Sequence, residues 1–218
     1  MTVQDQTGKG SWPQLRVEDW QGTRDTVQLW TQIVGKVRMA HAPMLNHWWQ
    51  VPLYVTPRGL ATHSIPHPSG PFDMEFDFFD HRLAIRSGNG SVASVGLDAK
   101  STSEFYAETM AAVAGLGLET TIRAVPVEVD PAIPFAEDSV HNSYDAAAVQ
   151  LFWRQLVQAD RILGTFRSSF RGKVSPVHYF WGTMDLACTR FSGRAAPRHA
   201  GGHQTSRNGS WRRATRTN

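Results

Sequence analysis

The chain of 218 residues holds a single cysteine, Cys188. One thiol excludes an intrachain disulfide and any multi-cysteine zinc site, and a reducing cytoplasm is the setting it fits. Long apolar runs are missing too. No stretch approaches the ~18 residues of a membrane span. The opening MTVQDQTGKGSWPQL lacks the hydrophobic segment of a secretory signal. No membrane partner is therefore expected. Several catalytic strings are absent as well: G-x-x-x-x-G-K-[ST], H-E-x-x-H, G-x-S-x-G and C-x-x-C do not occur. Gly88-Asn89-Gly90 lies between two strand-like runs and opens no helix, so it reads as a turn rather than a phosphate loop. The identity of any cofactor stays unknown from these residues, and no internal repeat is visible.

Acid is absent from residues 197–218, which carry Arg198, Arg207, Arg212, Arg213 and Arg216. The formal net charge of +3 comes from there, because residues 1–197 hold 17 basic and 19 acidic side chains. A basic end of this kind reads as a disordered tail (198–218), and nucleic acid is not expected as a partner of the body. Residues 1–11 are polar and read as a flexible N-terminus, leaving 12–197 as one domain. With 41% hydrophobic residues, eight Trp and eleven Phe, that length buries a substantial core.

Within the domain the spacing predicts a helix starting near Gly22–Asp25, with Thr23 or Asp25 as its cap, and running to Pro43. Val27, Trp30, Ile33, Val34, Val37 and His41 share one face. Gly35 in mid-helix costs about 1 kcal/mol against Ala, which points to a close backbone approach there. WWQVPLYVTPRG and LATHSIPHP read as extended. FDMEFDFF and RLAIR alternate. A two-residue turn at Asp80-His81 would set Phe78 opposite Leu83, Phe76 opposite Ile85 and Glu75 opposite Arg86. A helix follows from Ser101 or Ser103 to about Leu116, then a strand over 118–129, a Pro-rich connector, the longest helix after Tyr144, and a strand over 176–187. This order predicts an α+β fold, a mainly antiparallel sheet packed against three helices.

The candidate chemistry sits on a few stretches. Asp73, Glu75 and Asp77 share a strand face and read as a solvated row paired with Arg82 and Arg86. His63 and His67, four apart in a Pro-broken segment, are at the edge of joint metal ligation, and no metal site is assigned. His41 reads as a core histidine. His47, between an amide and two indoles in NHWWQ, fits either a pocket wall or a core. An unbroken strand over 176–187 puts His178 and Phe180 on one face and Tyr179, Trp181 and Asp185 on the other. A direct His178–Asp185 dyad would need a bulge at Gly182. Arg190 and Arg194, either side of Ser192-Gly193, can grip a carboxylate or phosphate. Cys188 reads as a small buried residue. The catalytic candidates are His178, His47 and Asp185, with His178 or His47 as general base. The ligand-binding candidates are Lys36, Trp48, Asp80, His81, Trp181, Arg190 and Arg194, with Lys36 and Arg194 holding an anion.

WTQIVGKVRM, NHWWQVPLYVTPRGL, FDFFDHRL and FRGKVSPVHYFWGTMDLACTRFSGR, with the proline after it, resemble a family of bacterial proteins of unknown function. The resemblance covers roughly Trp12 to Pro197. It implies a bacterial cytoplasmic protein and supplies no catalytic residues. Family members look longer, with an aromatic and acidic portion after SGR, so the ending APRHAGGHQTSRNGSWRRATRTN reads as truncated or out of frame. Two readings stand at this point. One is a domain binding a small, anionic molecule in an aromatic-lined cleft, with catalysis left open. The other is a non-catalytic structural or interaction protein without a small-molecule site.

Overall fold

The first helix, α1 (Val17–His41), is built on the apolar spacing of Val27, Trp30, Ile33, Val34 and Val37, all buried. The computed structural model describes residues 12–195, and the flexible N-terminus and basic tail expected from the sequence lie outside them. Every residue from Leu29 to Arg38 is buried, so α1 is enclosed on all sides and takes Gln32, Lys36 and Arg38 inside with it. It begins earlier than Gly22–Asp25. Trp20 leaves helical geometry (φ −138°, ψ 15°), and the helix resumes just where the sequence signals place its start.

Five antiparallel strands follow as a meander: β1 (Tyr54–Val55), β2 (Gly59–Ala61), β3 (Phe72–Asp77), β4 (Arg82–Ser87) and β5 (Val92–Gly96), adjacent in chain order. Leu60, Met74, Phe76, Leu83, Ile85 and Val95 share the buried face. Phe76 meets Phe105 of α2 (Thr102–Gly115) at 6.3 Å, and Phe105 stacks on Trp30 of α1 at 4.4 Å. Ser101 caps α2 reciprocally: its hydroxyl accepts from the Glu104 amide, and Glu104 accepts from the Ser101 amide at 2.7 Å. The third helix, α3 (Ala146–Ser168), is capped by Asp145, which accepts from the Ala147 and Ala148 amides. α3 packs Phe152 on Trp20 and sends the Trp153 indole N–H to the Thr56 carbonyl. A two-stranded ribbon, β6 (His178–Phe180) with β7 (Asp185–Ala187), joins the β1 side through a Leu53–Tyr179 bridge. The architecture is α+β: an antiparallel sheet and a small ribbon with three helices.

Four local expectations are corrected. The β3–β4 register is shifted by two residues, pairing Phe76 with Leu83, Met74 with Ile85 and Asp73 with Arg86. Asp77 accepts from the Phe79 and Asp80 amides and His81 takes φ 47°, so the loop holds Phe78–His81 instead of two residues. A shift of two preserves side-chain facing, which is why the apolar pattern alone could not detect it. Residues 118–129 form no strand. Gln32 accepts from the Val127 amide and donates to its carbonyl, both at 2.8 Å, and this side-chain clamp replaces a ladder. Finally, 176–187 is a hairpin and not one strand, turning at Trp181–Met184 with Met184 at φ 63°. α1, with 25 residues, exceeds the 23 of α3, which was expected to be the longest helix.

Candidate anion-binding site

The hairpin at 178–187 decides where the candidate triad goes. His178 pairs with Ala187, and Asp185 pairs with Phe180. His178 is buried with Nδ1 unbonded, its ring edge-on to Phe180 at 4.5 Å; burial holds its pKa below the usual imidazole value. Asp185 is exposed and accepts from the Thr183 hydroxyl at 2.7 Å. Arg190 lies 3.6 Å over the Phe166 ring and donates to Ser169, while Arg194 is exposed. These side chains take separate partners and build no common site. Trp181 is buried, its indole N–H donating to the Val51 carbonyl at 3.0 Å, with the Lys36 ammonium 5.9 Å from its ring. His47 is exposed and accepts from Lys173 at 2.8 Å. Trp48 follows it at φ 59°. Asp80 pairs with Arg58 (3.0 Å) and Arg82 (3.2 Å), and His81 bonds the Tyr144 hydroxyl at 2.9 Å.

The acidic row is neutralised by arginine. Arg86 holds Asp73 and Glu75, and Arg58 holds Asp77 in place of the expected Arg82. Among the described residues, no three His, Cys, Asp or Glu side chains gather as a metal site.

Two groups of side chains lie along the seam between the last turns of α1 and residues 54–72, one around Arg38 and one around His41. Arg38 is only 6% exposed. One guanidinium N–H donates to the Pro52 carbonyl, Nε has no partner, and the charge lies 5.4 Å from the Tyr54 ring. Tyr54 stacks flat on His63 at 3.7 Å, and His63 is held below its ordinary pKa by burial and then by the Arg38 charge. One turn beyond Arg38, His41 meets His67 edge-on at 4.9 Å, and both rings meet Phe72. Burial, then His67, holds His41 low.

Hydrogen bonding fixes two tautomers. Thr120 spends its proton on the Leu118 carbonyl, so the 2.8 Å bond from Thr120 to His41 needs Nε2–H on the imidazole. His67 accepts from the Ser69 amide through Nδ1, leaving its proton on Nε2. No carboxylate forms an ion pair with Arg38, His41, His63 or His67 among the described residues. A buried guanidinium without a countercharge is costly by several kcal/mol. Guanidinium and imidazole groups without a carboxylate partner have the chemistry that accepts an anion. In the sequence, His41 reads as a core histidine at helical spacing, and nothing local marks Arg38 as buried.

The chain belongs to the family of unknown function DUF5996, whose model matches residues 12–216, further than the resemblance read from the motifs. Neither a curated protein nor a solved structure matches the chain. No helix of the described residues is long and apolar enough to cross a membrane.

Proposed function

We propose that the protein binds a small oxyanion, phosphate-like or carboxylate-like, between Arg38 and the imidazoles of His41, His63 and His67, with Tyr54, whose hydroxyl bonds the guanidinium, as one wall. The observation that carries this reading is the buried Arg38 guanidinium, which has the Pro52 carbonyl and the ring and hydroxyl of Tyr54 around it and no carboxylate. Interior charges are tolerated when a counter-ion and hydrogen bonds complete them. Nearby acids are spent elsewhere, Glu75 and Asp73 on Arg86 and Asp77 on Arg58. The small-anion expectation is retained and moved from Lys36 and Arg194 to Arg38. We assign it no reaction. A bacterial cytoplasm is the setting that the family resemblance and the lone, half-buried Cys188 favour.

The test is a titration of the full chain with sulfate and with inorganic phosphate, followed by NMR of the histidine rings. Saturable shifts at His41, His63 and His67 are expected, together with a raised melting temperature. Arg38→Gln keeps an N–H for the Pro52 carbonyl and removes the charge; it should weaken binding about tenfold or more. Absence of saturable shifts with both anions, or unchanged affinity in the variant, overturns the reading.

A further inference from the structure

The charge of the body is not evenly spread. Residues 161–195 carry six cations, Arg161, Arg167, Arg171, Lys173, Arg190 and Arg194, against one acid, Asp185. Residues 12–160 carry ten cations against 17 acids. Among the described residues none of those six cations is in an ion pair, whereas Arg16, Arg24, Arg58, Arg82, Arg86 and Lys100 all are. Segregation of this kind is the electrostatic signature of a polyanionic partner.

Aromatic faces lie among these cations. The backbone joins the two segments that carry them through the Val174–Arg190 bridge and the bond from the Phe191 amide to the Lys173 carbonyl. The Lys173 ammonium lies 4.9 Å from the Phe191 ring and 5.7 Å from Trp49. His47 sits 4.7 Å from Phe191 and 5.3 Å from Trp49, accepting from Lys173 through Nε2, so its own proton is on Nδ1. At the other side of the bridge Arg190 covers Phe166, which is itself 45% exposed. His47 and Trp48 take consecutive left-handed backbone conformations, φ 60° and 59°. Two bulky residues hold that geometry only where their surroundings enforce it, and strain of this kind gathers at binding sites.

We propose that this end of the molecule, the last turns of α3 with residues 47–49, 173–175 and 189–194, binds single-stranded nucleic acid. Cations spaced along the surface suit successive phosphates, and the rings of His47, Trp49, Phe191 and Phe166 suit stacking of unpaired bases. An acidic membrane surface or a sulfated polymer would use the cations and have no need of the rings.

The experiment is fluorescence anisotropy of the full chain with labelled twelve-residue oligo-dT and oligo-U, at 50 to 200 mM salt. Binding that weakens steeply with salt is expected. The pair Lys173→Glu and Arg190→Glu should lose about tenfold or more in affinity and flatten the salt dependence. Trp49→Ala should lose about fivefold with the salt slope unchanged, because it removes stacking rather than charge. Lys173→Glu alone, at an exposed position, keeps the proposal testable if the other variants fold poorly. Replacing Arg198, Arg207, Arg212, Arg213 and Arg216 by glutamine should leave most of the binding in place. The proposal is overturned if those tail substitutions abolish binding, if Lys173→Glu has no effect, or if anionic vesicles or heparin bind as tightly and are indifferent to Trp49→Ala.

Discussion

The indole of Trp181 lies directly on the bare backbone of Gly35, in the middle of α1, and a methyl group on Gly35 would overlap its Nε1, Cε2 and Cδ1 atoms. The Trp181 N–H reaches the Val51 carbonyl, so one ring ties α1, the β6–β7 hairpin and the chain entering β1. Gly35→Ala would ordinarily gain about 1 kcal/mol of helix propensity. Here overpacking outweighs that gain, with a net loss of about 2 kcal/mol expected. Trp181→Phe, which keeps the bulk and loses the hydrogen bond, should cost about 1 kcal/mol. Chemical denaturation of both variants checks the order, and a Gly35→Ala protein more stable than wild type would refute the contact.

Lys36, one residue on, gives a prediction with a definite sign in pH. Burial, followed by the Arg123 charge, lowers its pKa to about 8 from 10.5. Between those values the unfolded chain binds more protons, so this group adds stability as pH rises through the window. Below pH 8 the folded state bears the full cost of the buried ammonium. Lys36→Met should therefore be more stable than wild type at pH 7, by up to about 3 kcal/mol, with the advantage fading above pH 10. Urea denaturation of both proteins across pH 7 to 10.5 reads the difference directly.

Histidine protonation works in opposite senses in two measurements. His41, His63 and His178 have lowered pKa values in the folded protein, chiefly through burial. Their contribution to stability is complete above the ordinary imidazole pKa of about 6.5 and is lost as pH falls through the folded values. Anion binding runs the other way, because protonated imidazoles attract the anion. Sulfate, whose charge is constant over this range, should bind more tightly at pH 5.5 than at pH 7.5. Calorimetry in buffers of different ionisation enthalpy should show proton uptake. Affinity that is flat in pH would remove His41 and His63 from the site.

Local signals in the sequence carried the fold a long way. Ser101 was one of the two caps offered for α2, and Gly35 announced the close approach that Trp181 makes. What stayed hidden depends on partners distant in the chain. Nothing within 118–129 says that Gln32, 95 residues earlier, will hold Val127 and leave that segment without a ladder. The strip proposed to hold an anion escaped for the same reason. Arg38, Tyr54, His63 and His67 come from three segments, and only the enclosure of α1 turns Arg38 from a surface charge into a buried one. Net charge hid the basic end because it summed two regions of opposite sign.

Asp77 provides the clearest test of how a register is set. Burial pushes its carboxyl upward, but the Arg58 guanidinium at 2.6 Å and the amides of Asp80 and Phe79 more than offset this and hold it below the usual carboxylate value. A depressed carboxyl contributes stability that is present above its unfolded pKa, about 3.9, and is lost as pH falls through the folded value. Asp77→Asn keeps an oxygen for the two amides and surrenders the charge. It should cost about 1–2 kcal/mol at pH 7, and its deficit relative to wild type should close as pH falls below 4. Asp77→Ala loses the turn contacts as well, so part of its deficit should persist at low pH. Denaturation of the three proteins between pH 7 and 3 separates charge from turn geometry, and an Asn deficit independent of pH would mean that the Arg58 pairing does not stabilise the β3–β4 loop.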